Sequence, residues 1–357
     1  MAAAWIATCA AQSDDRYDQL RQQAAEYYSE QAYEQAWKAW DEASRLDVPP
    51  EDRRTLAFYL ADSLWRSRPD ATHVTDARQQ LQSLAGIEPI RDSLAAEASE
   101  SLGDSWLALD DNWDRAWAEY RRALEFWKPS TNSDPGRTRY LGIVWKATRP
   151  PGEYQRGERV PLDVLESAFH IARTNEELAR AHFFLGCWYA ETPDALSLQR
   201  AGAEFRAAVD AGRDTAVYEA ALYRLAQWNL VAGESYWGLD GGLTAGPNYT
   251  RALELFQRFV EEFPNSAFTD GARRKIAELT QPILEMHISH QFLPGSSPRL
   301  HLHWRNAGAV ELALRRIDLG RDFRPNSQID PYHWLDAIRA PAGPAMFQWK
   351  EADTAAP

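Results

Sequence analysis

The spacing of apolar and polar positions changes once along this chain. Up to Thr280 the apolar residues recur every three or four positions, the mark of amphipathic helices. Beyond Pro282 they recur every second position. Leu284, Met286 and Ile288 alternate with Glu285, His287 and Ser289; Leu300, Leu302 and Trp304 with His301, His303 and Arg305; Val310, Leu312 and Leu314 with Glu311, Ala313 and Arg315. This predicts three half-buried antiparallel strands, joined by turns at 293–298 and 306–308. A short helix near Trp334 and a strand near Phe347 complete the expected elements.

Within the helical region a single pattern repeats: a small residue, an aromatic four later, a small residue three beyond that. It occurs at Ala116, Tyr120, Ala123; at Ala36, Trp40, Ala43; at Ala201, Phe205, Ala208; and at Ala252, Phe256, with Pro264 following. Ala77, Leu81, Leu84 is a weaker copy. Upstream lie matching first helices, marked by Leu102-Gly103 with Trp106, Leu185-Gly186 with Tyr189, and Ala24 with Tyr27. The arrangement resembles the tetratricopeptide repeat. A small residue at the tightest crossing of two helices leaves room that an aromatic from the partner helix fills, and stacking hides each pair's apolar face.

Two segments interrupt the array and are expected as loop insertions. One, 128–160, contains Pro129, Pro135, Pro150 and Pro151 and carries seven Lys/Arg against three acids, a local net charge of +4. The other, 233–248, holds the glycine-rich run 238–246, which lacks the Lys-Ser/Thr of a phosphate loop and follows a helix instead of a strand.

Composition narrows the function. At 357 residues the chain is long enough for two domains, and 45% hydrophobic with 25% charged residues is a globular balance. The net charge of -13 repels phosphate backbones and anionic lipid, which disfavours nucleic acid as a partner. No apolar run is long enough for a membrane span. Residues 1–12 read either as the end of a truncated signal peptide or as an Ala-rich terminus, and the first reading implies export to the periplasm or cell envelope.

Candidate chemistry is sparse. Two cysteines, Cys9 and Cys187, make no disulfide framework. Cys9-Ala10-Ala11-Gln12 has the spacing of a thioester by coincidence. His182 lies about 140° around the helix from Cys187, too far to serve as its base. His287, His301 and His303 share one strand face and are the remote candidates for a metal, against the plainer reading of solvated strand residues. No catalytic residue, metal site or cofactor is expected. Placing Gly103 and Gly186 at the repeat's small first-helix position puts Glu97, Glu100, Asp104, Arg180, Phe183, Cys187, Tyr223 and Gln227 along a groove suited to a protein or peptide partner.

A second resemblance covers most of the chain from about Ala98. Tyr249 to Phe259, the helix around Ile276, Leu279-Thr280-Gln281-Pro282, Phe292-Leu-Pro-Gly-Ser296, Trp304-Arg-Asn306, Val310 to Leu319 and Arg321-Asp322 succeed one another. Ile143 to Pro151 and Asp163-Val-Leu165 precede them. The order is similar to the N-terminal region of large bacterial alpha-2-macroglobulin family proteins that carry helical repeats ahead of the first macroglobulin domain. The resemblance implies an exported protease trap whose bait and thioester regions lie beyond residue 357. The expected fold is therefore mainly α: an irregular tetratricopeptide-like solenoid over 13–281, then the start of a macroglobulin-like antiparallel β-sandwich over 282–357. The expected function is a non-catalytic scaffold of such a trap, meeting proteases through the whole protein. The alternative is a stand-alone repeat adaptor that holds a partner peptide in its groove.

Overall fold

A computed structural model describes residues 2–68, 70–86, 89–148, 160–192, 194–237, 243–288, 300–315 and 344–352, with the side chains of 2–15, 235–244, 287, 288, 303, 305, 351 and 352 excepted. The chain divides into two compact units, Met1–Asn248 and Tyr249–Pro357.

The first unit is built from helix pairs. α1 (Ala2–Ser29) and α2 (Tyr33–Ser44) are followed by α3 (Arg53–Ser67) and α4 (Ala71–Ala85), then α5 (Ser93–Asp110) and α6 (Trp113–Trp127). α7 (Asp134–Ala147) and α8 (Leu162–Ile171), α9 (Asn175–Ala190) and α10 (Ala195–Asp210), and α11 (Tyr218–Ala232) continue the series. Each helix packs on the next, and first helices also meet across pairs, α3 on α5 and α9 on α11. This is the contact order of a helical-repeat array.

Local chemistry sets the helix ends. Asp70, Asp92, Asn112, Ser133, Thr174 and Asp194 each accept a hydrogen bond from a backbone N–H in the first turn of the helix they precede. Asp111 closes α5 in the left-handed conformation, at φ 51°. Between the ends, the repeated small-aromatic-small residues are the buried ones: Ala36, Trp40 and Ala43, Ala116, Tyr120 and Ala123, Ala201, Phe205 and Ala208.

Both expected loop insertions contain regular structure. The segment 128–160 holds a 3-10 turn, Lys128–Ser130, and the whole of α7. Its charges and prolines hide a helix with a Ser133 cap, a proline in the first turn, and Tyr140, Leu141, Ile143 and Val144 buried. Residues 149–159 lie outside the described residues. The segment 233–248 forms an antiparallel pair, β1 (Glu234–Trp237) with β2 (Leu243–Gly246), and β2 packs on α10 and α11. Of residues 1–12, read from sequence as a signal-peptide end or an Ala-rich terminus, 2–12 form the first turns of α1.

In the second unit, α12 (Tyr249–Glu262) and α13 (Thr269–Thr280) pack together through the buried Ala252, Leu255, Phe256, Phe259 and Ala272. Among the described residues four strands follow: β3 (Ile283–Ile288), β4 (Leu300–Arg305), β5 (Ala309–Leu314) and β6 (Phe347–Ala352). The three predicted strands and the one near Phe347 are present, while the helix predicted near Trp334 lies outside the described residues. Pairing differs from a continuous sheet: β3 pairs with β4, and β5 pairs with β6. Trp304 and Trp349, one from each pair, meet edge to face at 6.4 Å. Leu284, Met286 and Leu314 are exposed, and Val310 is buried. Among the described residues these two antiparallel strand pairs do not confirm the expected start of a sandwich, which needs two facing sheets over a common core. The unit boundary also falls ahead of α12, where sequence periodicity marks it at 281. One local reason is Asn306, whose amide donates to the Gln281 carbonyl at 3.1 Å and ties the end of α13 to the end of β4.

Candidate protein-binding groove

Two first helices, α3 and α5, bring three residues each to a common face, spaced i, i+3 and i+7. On α3 these are Tyr59, Asp62 and Arg66; on α5, Glu97, Glu100 and Asp104; on α7, Arg139 and Lys146 occupy the outer two positions. They line a cavity of about 170 Å³ together with Tyr28, Phe58 and Ser101. A second cavity of about 340 Å³ lies between α1 and α3, lined by Tyr17, Arg21, Ala25, Trp40 and Leu56 among others. Tyr28 and Tyr59 line both, so the two cavities are neighbours on either side of these rings, which meet edge to face at 4.9 Å.

Asp62 anchors the charged cavity from beneath. It is fully buried, yet it accepts from Tyr28 Oη at 2.6 Å, Arg66 Nε at 2.7 Å, Trp65 Nε1 at 3.1 Å and the Ser101 hydroxyl. Four donors from three helices make the buried charge tolerable. From Arg66 the network crosses to α5, donating to Asp104 at 3.1 Å, which also accepts from Tyr120 Oη at 2.8 Å and Lys146 Nζ at 3.2 Å. Lys146 reaches Glu100 as well, and Arg139 pairs with Glu97 at 3.2 Å and Glu100 at 3.6 Å.

The electrostatics follow from this geometry. Burial, reinforced by the Asp62 carboxylate, raises the Tyr28 phenol well above its ordinary range; burial and Asp104 do the same for Tyr120. For Lys146, burial opposes the charge, but Asp104 and Glu100 outweigh it and the ammonium is held more firmly than usual. Glu97 moves the other way from a normal ion-paired acid: burial pushes its carboxyl up, and Arg139 offsets this incompletely.

Of the eight groove residues expected from sequence, Glu97, Glu100 and Asp104 line the charged cavity. Arg180, half-buried, pairs with Glu176, and Gln227 accepts from Arg224 at 3.2 Å. Phe183, Cys187 and Tyr223 are buried, at 2%, 5% and 6% exposure. Phe183 packs against Phe184 and the Phe205 ring of α10, so it fills a repeat interior and offers no surface to a partner. Sequence reasoning missed Tyr28, Tyr59, Asp62, Arg66, Arg139 and Lys146. The signal was there: Tyr59, Asp62 and Arg66 precede Glu97, Glu100 and Asp104 by one repeat, with identical internal spacing.

The expected histidine face is partly visible. Backbone register places His287 opposite His301 and Glu285 opposite His303, where sequence alone set His287 near His303. Among the described residues no group of three or more His, Cys, Asp or Glu is arranged to hold a metal.

The paired helices and the small-residue crossings make a helical-repeat array, similar in these features to tetratricopeptide repeats. No family model matches the chain, and no curated protein matches it. Among solved structures it is similar to the TPR2AB-domain:pHSP90-complex of yeast Sti1, at 13% identity over 75% of this chain and 100% of that one, with a TM-score of 0.27. Among the described residues, no helix is long and apolar enough to cross a membrane.

Proposed function

We propose that the chain is a non-catalytic interaction scaffold whose first helices receive an extended segment of a partner protein. The observation that carries this reading is the pair of neighbouring cavities spanning α1, α3, α5 and α7, whose polar and aromatic side chains are held in place by buried hydrogen bonds. A pre-organised groove lowers the ordering cost of binding, which is what an extended segment requires. The test is selection of random peptides on the full chain. Selected peptides should lose binding to Tyr59→Ala and to Ala25→Trp, which fills the groove from an exposed position, and keep binding to Asp76→Arg on an exposed position away from it. Peptides indifferent to both groove changes would overturn the reading.

The narrower role, the front end of an exported alpha-2-macroglobulin-like protease trap, is supported by the sequence resemblance strongest after Tyr249. Its test is the natural full-length protein: failure to form a complex with an endopeptidase that cleaves it would remove this role and leave the scaffold.

A further inference from the structure

The charged half of the groove is not electrically closed. Four carboxylates, Asp62, Glu97, Glu100 and Asp104, face three cations, Arg66, Arg139 and Lys146. Arg66 is committed between Asp62 and Asp104, and Lys146 between Asp104 and Glu100. That leaves Arg139, 46% exposed, to serve both Glu97 and Glu100, and it reaches Glu100 only at 3.6 Å. The Glu100 Oε2 atom is buried, and Arg139 Nη1, its ion-pair partner at 3.6 Å, stands just beyond hydrogen-bond reach. A buried carboxylate oxygen without a donor is costly, and a donor arriving with a partner removes that cost.

We propose that the charged cavity takes the guanidinium or ammonium of a basic residue in an extended partner segment, the neighbouring aromatic cavity taking an apolar side chain two positions away. This rests on the reading of the groove as the partner site. The incoming cation completes the hydrogen bonding of Glu100, shares Glu97 with Arg139, and lies beside Tyr28, Phe58 and Tyr59, whose faces attract a cation. In an extended segment, side chains two positions apart project to the same side about 6.6–6.8 Å apart, so neighbouring cavities that share Tyr28 and Tyr59 can take side chains at alternate positions. The aromatic cavity has Trp40 stacked on Tyr59 at 5.3 Å, with Leu56 and Ala25 around it. A net charge of -13 favours approach of a basic segment and repels an acidic one.

The experiment uses the peptide selection above, on the full chain and on the double variant Glu97→Gln/Glu100→Gln. A second double variant, Asp76→Asn/Glu166→Gln, makes the same change in net charge at exposed positions outside the groove. Circular dichroism verifies that each variant is folded. The expected result is that Tyr59-dependent peptides are enriched in Arg or Lys two positions from an apolar residue. Replacing that Arg by citrulline should then weaken binding about tenfold, and the Glu97/Glu100 variant, unlike the Asp76/Glu166 one, should lose the preference. Tyr59-dependent peptides that are acidic or lack a basic residue, or a preference unchanged by Glu97→Gln/Glu100→Gln, would overturn the cation proposal while leaving the groove as the partner site. Selection that yields no Tyr59-dependent peptide would overturn both.

Discussion

Gly103 on α5 and the Tyr120 ring on α6 compete for one space: a Cβ built on Gly103 would stand 2.6 Å from Tyr120 Cε1. Gly186 and Phe205 repeat the relationship on α9 and α10, at 2.7 Å. Tyr120 cannot step aside, because it is 1% exposed and its hydroxyl is bound to Asp104. Gly103→Ala should therefore destabilise the protein by about 1–3 kcal/mol, the usual penalty for overpacking. Gly142→Ala on α7 is the matched control. Nothing lies within 4 Å of its Cβ position, so helix propensity should make it neutral or stabilising by up to about 1 kcal/mol. Chemical denaturation of both variants checks this, and equal effects would refute the close-approach account.

These crossings explain why the array was legible in the sequence. Ala116, Tyr120 and Ala123 are conspicuous because a tight crossing accepts few residue types, so the pattern survives repetition. α7 was not legible, because Asp134, Pro135, Arg137 and Arg139 look like a solvated loop until the partners of those charges on other elements are known. Arg137, 8% exposed, is held by Asp134 at 2.6 Å and by Glu177, forty residues later, at 3.2 Å. The strand positions were readable from their period of two. Their pairing was not, since an alternating pattern marks the two faces of a strand and leaves open which strand lies beside it.

Asp62 should be the most sensitive polar residue of the array. Asp62→Ala strips the acceptor from Tyr28, Trp65, Ser101 and Arg66 at once and leaves a mostly buried guanidinium facing Asp104 alone. Breaking a buried pair in this way typically costs about 3–5 kcal/mol. Tyr28→Phe removes a single donor to the charged group and should cost about 1.5–3 kcal/mol. If denaturant titrations give both variants the same small loss, the hydrogen-bond network does not hold α1, α3 and α5 together.

Two glutamates should respond to pH in opposite senses. The Glu97 carboxyl is raised in the folded protein, mainly by burial, so its contribution is fully present below the unfolded value and is lost as pH rises through the folded one. Glu97→Gln should thus compare better with the parent at pH 7 than at pH 4. Burial also works to raise the Glu177 carboxyl, but the Thr174 and Arg173 N–H groups and Arg137 outweigh it and hold it below its ordinary value. Its stabilisation is present above the unfolded value and is lost as pH falls through the folded one. Glu177→Gln should therefore be most damaging near pH 7, with the difference shrinking as the solution is acidified. Melting temperatures of the two variants from pH 3.5 to 7.5 would decide it, and parallel curves would refute both assignments.

Cys187 offers a direct probe of how firmly the later repeats close. It sits on the first helix of its pair, one residue after Gly186, and is 5% exposed. Burial pushes its thiol up to about 12, against which the positive charge of Arg224 is a minor effect. Reaction with a disulfide reagent needs both the thiolate and access, and the folded chain withholds both. In a Cys9→Ser background, labelling at pH 8 should be on the order of a thousandfold slower than in the guanidinium-unfolded chain, because the thiolate fraction alone falls by that order. The residual rate should then report opening of the array, so Gly186→Ala, which forces the neighbouring crossing with Phe205 apart, should raise it in proportion to the stability lost. Labelling as fast in the folded protein as in the unfolded one would show that the thiol lies on an open surface, and would return it to the groove that the repeat alignment assigned it.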